Sequence, residues 1–216
     1  MKKKILVVLM VLLIALQTVA YGETSKDEQN RIKIIKETMD RTCVIILDDV
    51  YCGTGILIKK NFVLTSYHVV SEFQNMEIEF NSRQKCIGQL VAFDEEQDLA
   101  LIELETMKTI PQKDMKLGMK CFVGQTVYAF GSPLGLNYSV SHGIVSNDYR
   151  GFDGMKVFQI DAPVNNGNSG GAVINSKGEL IGIVQFKCEN QNDGLGFASC
   201  IQMIKKFLEE NKNILE

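Results

Sequence analysis

The chain has 216 residues, 45% of them hydrophobic and 23% charged, with a formal net charge of −3. This is the composition of a globular protein, long enough for one large domain or two small ones packed together. There is no basic excess, so nucleic acid is not an expected partner.

In chain order, Lys2-Lys3-Lys4 precede an unbroken apolar run, Ile5 to Leu16, and small residues follow at Ala20 and Gly22. A basic start, a short apolar core and a small-residue zone predict a secretory signal peptide over residues 1–22, cleaved after Ala20 or Gly22. The run is short for a membrane span. An exported protein, periplasmic or extracellular, with no stable membrane span after cleavage is therefore expected. Residues 23–41 form an N-terminal helical segment. Ser25 is placed to cap it, acids follow in the first turn, and Ile32, Ile35 and Met39 share a face.

From Thr42 the texture changes to short β-branched and aromatic runs separated by turn residues, an all-β signal. Strands are predicted at 42–47, 51–58, 62–66, 76–80, 86–93 and 98–104. A polar stretch, 105–120, contains Pro111 and reads as a linker. A second set follows at 126–130, 138–146, 156–161, 172–175, 180–186 and 194–199. The end, 200–211, turns helical, with Ile204, Phe207 and Leu208 on one face. The expected fold is two six-stranded antiparallel β-barrels with a helix at each end: an N-terminal barrel over 42–115, and a C-terminal barrel with its terminal helix over 116–216.

Six cysteines (Cys43, Cys52, Cys86, Cys121, Cys188 and Cys200) after a signal peptide make disulfides plausible. Of the fifteen full pairings, a Cys43–Cys52 bond across the first hairpin is the best single guess. No Cys-x-x-Cys spacing is present, so no zinc site is expected. No dense oxygen-ligand loop suggests calcium. Neither metal nor cofactor is predicted.

The stretch Val164-Asn165-Asn166-Gly167-Asn168-Ser169-Gly170-Gly171 sets one serine among three glycines. A serine hydroxyl needs an adjacent base to become a nucleophile, and N–H donors for the oxyanion formed when it attacks a carbonyl. Alone, this stretch is as readily a glycine-rich turn. The chain has two histidines. His142 lies within a predicted strand and is given a structural role, whereas His68 follows Leu64-Thr65-Ser66-Tyr67, where a strand gives way to a turn. The acids of Asp94-Glu95-Glu96-Gln97-Asp98 divide similarly. The first three read as a solvated turn, but Asp98 opens the apolar run Leu99–Leu104, and a buried carboxylate needs a partner.

In combination, Gly53-Thr54-Gly55, Leu64-Thr65-Ser66-Tyr67-His68-Val69-Val70, Asp98-Leu99-Ala100-Leu101-Ile102 and Gly167-Asn168-Ser169-Gly170-Gly171 resemble the successive motifs of chymotrypsin-fold serine proteases, specifically the HtrA (Deg) branch. Gly131-Ser132-Pro133-Leu134-Gly135, Ser141-His142-Gly143-Ile144-Val145-Ser146 and Gly194-Leu195-Gly196-Phe197-Ala198 resemble the same branch, so the likeness covers residues 42–211. It implies a serine endopeptidase acting on polypeptides, with His68 as general base, Asp98 as its orienting acid, Ser169 as nucleophile, and the N–H groups of Gly167 and Ser169 as oxyanion hole.

Gly167-Asn168-Ser169-Gly170-Gly171 also fits the nucleophile elbow of lipases and esterases. That elbow opens a helix and has its histidine later in the chain, whereas no histidine follows Ser169 here. The resemblance departs from its branch in four places. The residues after Ser199 are too few for a PDZ domain, the loop Asp48-Asp49-Val50 between the first two strands is short where a long regulatory loop would stand, Tyr67 stands where relatives often have a second histidine, and six cysteines are unusual. Relatives that cut after Lys or Arg carry an acid six residues before the nucleophile. Here that position is Pro163, followed by Val164, and Phe197, Ala198 and Ser199 lie across the expected pocket. Cleavage after small or medium apolar residues is the resulting expectation. The alternative is a protease-shaped peptide-binding or chaperone-like protein with an inactive resting site.

Overall fold

The computed structural model describes residues 25–105, 113–152, 154–187 and 195–216. The predicted signal peptide, most of the Pro111 segment, Cys188 and Gly194 lie outside them. The chain divides into a short unit ending at Lys33 and a main unit, Ile34–Glu216. Helix α1 (Lys26–Met39) crosses that boundary. At its start the Glu28 amide donates to Ser25 Oγ at 3.2 Å, the capping bond its sequence implies. Its inner face in the main unit differs from the expected stripe. Ile34 and Thr38 are buried, Ile35 and Met39 partly so, and Ile32 is exposed.

The main unit contains two closed six-stranded antiparallel barrels, as the sequence predicts. The first is built from β1 (Thr42–Leu47), β2 (Val50–Lys59), β3 (Phe62–Thr65), β4 (Asn75–Phe80), β5 (Lys85–Asp94) and β6 (Leu99–Leu104). The second uses β7 (Thr126–Gly131), β8 (Ser139–Phe152), β9 (Met155–Ile160), β10 (Ala172–Asn175), β11 (Leu180–Lys187) and β12 (Gly196–Ser199). Between β3 and β4 lies a one-turn helix, α2 (Tyr67–Val70). The chain ends in α3 (Ile201–Glu210) and α4 (Lys212–Leu215). The first hairpin turns on Asp48 and Asp49, both at positive φ (48° and 64°). Two consecutive left-handed residues make the tight turn whose twist matches a β-hairpin.

The near-continuous apolar runs have a simple cause: several strands are buried on both faces. In β2, Leu57 points into the first barrel while Ile56 and Ile58 point out of it. In β3, Val63 points in and Phe62 and Leu64 point out; β6 repeats the pattern with Ala100 and Ile102 against Leu99 and Leu101. The outward sets do not meet water. They join Tyr128, Phe130, Ala172, Ile174 and Ile183 of the second barrel, with Ile34, Ile201, Ile204 and Phe207 from the helices, in one core between the barrels. Each Leu, Ile or Phe side chain so buried stabilises the fold by about 1.5–3 kcal/mol relative to exposure. This shared core fixes the two barrels against each other.

The cysteine expectation requires correction. Cys43, Cys52, Cys86, Cys121 and Cys200 are all free thiols. The β1–β2 register sets Cys43 opposite Gly55, so Cys43 points into the barrel. Cys52 lies on the exposed outer part of β2. Two side chains on opposite surfaces of a barrel wall do not meet the geometry of a disulfide.

Candidate active site

A cleft of about 590 Å³ is lined by residues from both barrels, among them His68, Asp98 and Ser169. Local structure presents each of these. At the end of β3, Ser66 is extended (φ −81°, ψ 140°), and α2 begins at Tyr67. Val69 and Val70 are buried and anchor the short helix from below. Tyr67 stacks on Phe93 with ring centroids 4.4 Å apart. His68, between these anchors, has a side chain half exposed to the cleft.

Asp98 ends the turn that follows β5. The Gln97 amide donates to Asp94 Oδ1 at 3.0 Å and closes that turn. Asp98 itself adopts φ +52°, an uncommon conformation for a non-glycine residue. It is buried, and both carboxylate oxygens serve His68: Oδ1 accepts the His68 amide at 2.7 Å, and Oδ2 lies 2.7 Å from Nδ1. A carboxylate only accepts, so this pairing places the imidazole proton on Nδ1 and leaves Nε2 as the basic nitrogen.

Ser169 sits in a loop held almost entirely by backbone. Asn168 N–H donates to Asn165 O (3.0 Å), Gly170 N–H to Val184 O (2.8 Å) and Gly171 N–H to Asn168 O (2.9 Å). Gly167 and Gly170 are at φ +96° and +83°. Thr54, on β2 of the other barrel, clamps the loop. Its N–H donates to Ser169 O at 2.9 Å, and its Oγ1 donates to Gly167 O at 2.7 Å while accepting Ser132 N–H at 3.1 Å. Among the described residues the N–H groups of Gly167 and Ser169 donate to no protein acceptor. Ser169 Oγ donates to the Gln185 carbonyl at 3.0 Å.

The other predicted positions separate. Val164 lines the cleft beside Ser169, together with Val184 and Phe186. Phe197 is buried and stacks on Phe186 at 5.0 Å, and Phe152 packs edge-on to both. Ala198 lies in the interior of the second barrel, Ser199 is buried with Oγ accepting Ile183 N–H at 3.2 Å, and Pro163 is exposed. His142 is exposed on β8 beside the Tyr128 ring, away from the cleft. Sequence reasoning passed over Thr54, Ser66, Gln97 and Gln185. A signal for the last was present: Gln185 interrupts the run Leu180–Phe186 of β11, whose other residues are apolar or glycine, and it is fully buried.

Comparison with known proteins agrees with this fold. A family model described as trypsin-like peptidase domain matches residues 53–183. A protein named serine protease HtrA-like from Staphylococcus epidermidis is 30% identical over 224 aligned residues, covering 88% of this chain and 38% of that protein. A protein of the same name from Staphylococcus aureus is 33% identical over 178 residues, covering 73% of this chain and 23% of its own length. This chain therefore spans well under half the length of these relatives. The barrels, the cleft between them and the sequence match lead to one conclusion: the chain belongs to the trypsin-like peptidase family, with HtrA-like serine proteases among its relatives.

Proposed function

We propose that this protein is an exported serine endopeptidase, with His68, Asp98 and Ser169 as its triad. The observation that carries the reading is the two-point hold of Asp98 on His68, with Nε2 making no hydrogen bond among the described residues in the cleft that contains Ser169. Ser169 Oγ attacks the scissile carbonyl as His68 takes its proton, Asp98 stabilises the imidazolium, and the N–H groups of Gly167 and Ser169 receive the oxyanion. His68 then protonates the leaving amine, and water repeats the sequence on the acyl-enzyme. A signal peptide over residues 1–22 would direct export.

The wall beside Ser169 supports cleavage after small or medium apolar residues. Val164, Val184 and Phe186 form it, and the acids lining the cleft, Glu95 and Asp98, come from the other barrel. Profiling a peptide library against the purified enzyme tests this: dominance of Lys, Arg or Glu at the cleaved position would refute it.

The second reading, a peptide-binding protein with an inactive resting site, rests on one bond. Ser169 Oγ donates to Gln185 O, so its proton is directed away from His68. A fluorophosphonate probe separates the two readings. Label on Ser169 in the folded wild type, absent in Ser169→Ala, supports the peptidase. A folded but unlabelled wild type supports the binding protein.

A further inference from the structure

Gln185 is the extra residue of a β-bulge. On β11, Val184 pairs with Ala198 and Phe186 with Phe197, which leaves Gln185 between them without a partner on β12. Bulges re-aim a side chain, and this one sends the carboxamide of Gln185 out of the second barrel toward the first. There it is fully buried and both of its ends are used. Nε2 donates to the backbone carbonyl of Asp98 at 3.0 Å. Oε1 lies 2.6 Å from the Ser66 hydroxyl, which also lies 3.0 Å from Val184 O. Ser66 immediately precedes the helix that carries His68, and the Asp98 carbonyl also accepts Tyr67 N–H at 3.3 Å.

We infer that Gln185 is a positioning residue for the triad: one amide from the second barrel braces the segments that carry His68 and Asp98 against each other. This rests on the triad reading above. Asp98 holds φ +52°, a conformation that persists only where surrounding structure fixes it. With Tyr67 N–H and Gln185 Nε2 both on its carbonyl, the Asp98 backbone cannot rotate without leaving buried donors unpaired. Because the carboxylate meets His68 at two points, a small rotation at Asp98 would displace the imidazole. A misplacement of about 1 Å in a catalytic group is enough to cost on the order of 100-fold in rate. The brace acts on the orientation of the base rather than on substrate contacts, so its loss should lower kcat and leave KM nearly unchanged.

Two variants and two readouts test this. Gln185→Leu removes both polar ends at similar volume. It should lower kcat about 10- to 100-fold and broaden or abolish the far-downfield proton resonance of the His68 Nδ1–H. That resonance does not depend on turnover and can be recorded in a Ser169→Ala background. Gln185→Glu supplies a pH test. A protonated carboxyl donates to Asp98 O and accepts from Ser66 as the amide does, whereas a carboxylate sets two acceptors against each other. The ratio of variant to wild-type kcat/KM should therefore rise as pH falls, a trend that a purely structural contact would not produce. If Gln185→Leu does not fold, the Gln185→Glu ratio and its low-pH resonance decide the question. An unchanged resonance with kcat within about twofold of wild type in folded Gln185→Leu, or a pH-independent ratio in Gln185→Glu, would overturn the inference. Failure of the triad reading looks different: full turnover in Ser169→Ala, whatever residue occupies position 185.

Discussion

Gly170 shows how little freedom the loop that carries Ser169 has. It sits at φ +83°, and a Cβ there would overlap Thr65 Oγ1 and the Thr54 carbonyl oxygen, which are themselves hydrogen-bonded at 2.7 Å. Gly170→Ala therefore combines left-handed strain with overlap against the opposite barrel. We predict a loss of about 3 kcal/mol, read as a lower urea midpoint; an unchanged midpoint would mean the loop moves freely. Asp98→Asn tests the orienting acid. An amide can present its NH₂ to Nδ1 and stabilise the wrong tautomer, so kcat should fall on the order of 10⁴-fold with the fold intact. A fall of less than about tenfold would remove Asp98 from the proposed triad. His68, Asp98 and Ser169, the proposed triad, stand out in the sequence as candidates because each lies where an apolar run meets turn residues, and the fold brings all three to one cleft. The bonds of Thr54 and Gln185 were not legible there, although Gln185 stands out as a polar residue in an apolar run, because their partners lie at least 87 residues away in the chain (Thr54 Oγ1 to Gly167, Gln185 Nε2 to Asp98) and only the closed fold joins them. Val164 was legible as a cleft residue, whereas Ala198 and Ser199 were not separable from Phe197, since their facing depends on the register of β12.

At the scale of elements, the β8–β9 hairpin differs most from the sequence reading. The predicted strand ended at Ser146, but β8 runs on to Phe152, with Arg150, Gly151 and Phe152 pairing with Val157, Lys156 and Met155. Asn147-Asp148-Tyr149-Arg150 has turn-like polarity, and two register shifts accommodate it within the ladder. The extension matters because Met155 lines the cleft and Phe152 packs on Phe186 and Phe197. The hairpin is docked to the first barrel by Gln97: Nε2 donates to Gly154 O at 3.2 Å, and Oε1 accepts Lys156 N–H at 3.1 Å. Gln97→Ala removes both bonds at about 1 kcal/mol each and frees the cleft wall. We predict a several-fold higher KM for peptide substrates with kcat changed less, from steady-state kinetics. A selective loss of kcat would mean that the substitution acts through the neighbouring Asp98 instead.

For the whole molecule, the free thiols set a limit at alkaline pH. Burial pushes the Cys86 and Cys200 thiols up to about 11 from the ordinary 9.0, and raises those of Cys43 and Cys121. The two barrels share this feature, since Cys43 and Cys86 pack in or against the first interior and Cys121 and Cys200 belong to the second. A thiol whose folded value is raised favours the native state fully below its unfolded value. As pH rises past 9.0, the unfolded chain gains by ionising while the folded chain cannot, so stability falls until the folded values near 11 are passed. The Tyr138 phenol, raised by burial and by Glu79, acts in the same direction at higher pH. Urea unfolding at a series of pH values should therefore give a flat midpoint around neutrality and a steady decline from about pH 9. Replacing Cys86 and Cys200 with alanine should lessen the slope, even though the lost packing lowers the midpoint at neutral pH. Iodoacetamide at neutral pH should modify exposed Cys52 well before the buried Cys43, Cys121 and Cys200 and the half-buried Cys86, because the reactive thiolate is suppressed where full or partial burial raises the thiol. A pH-independent midpoint, or early modification of Cys43, would mean that the barrel interiors open to solvent and that the core between the barrels does not hold them closed.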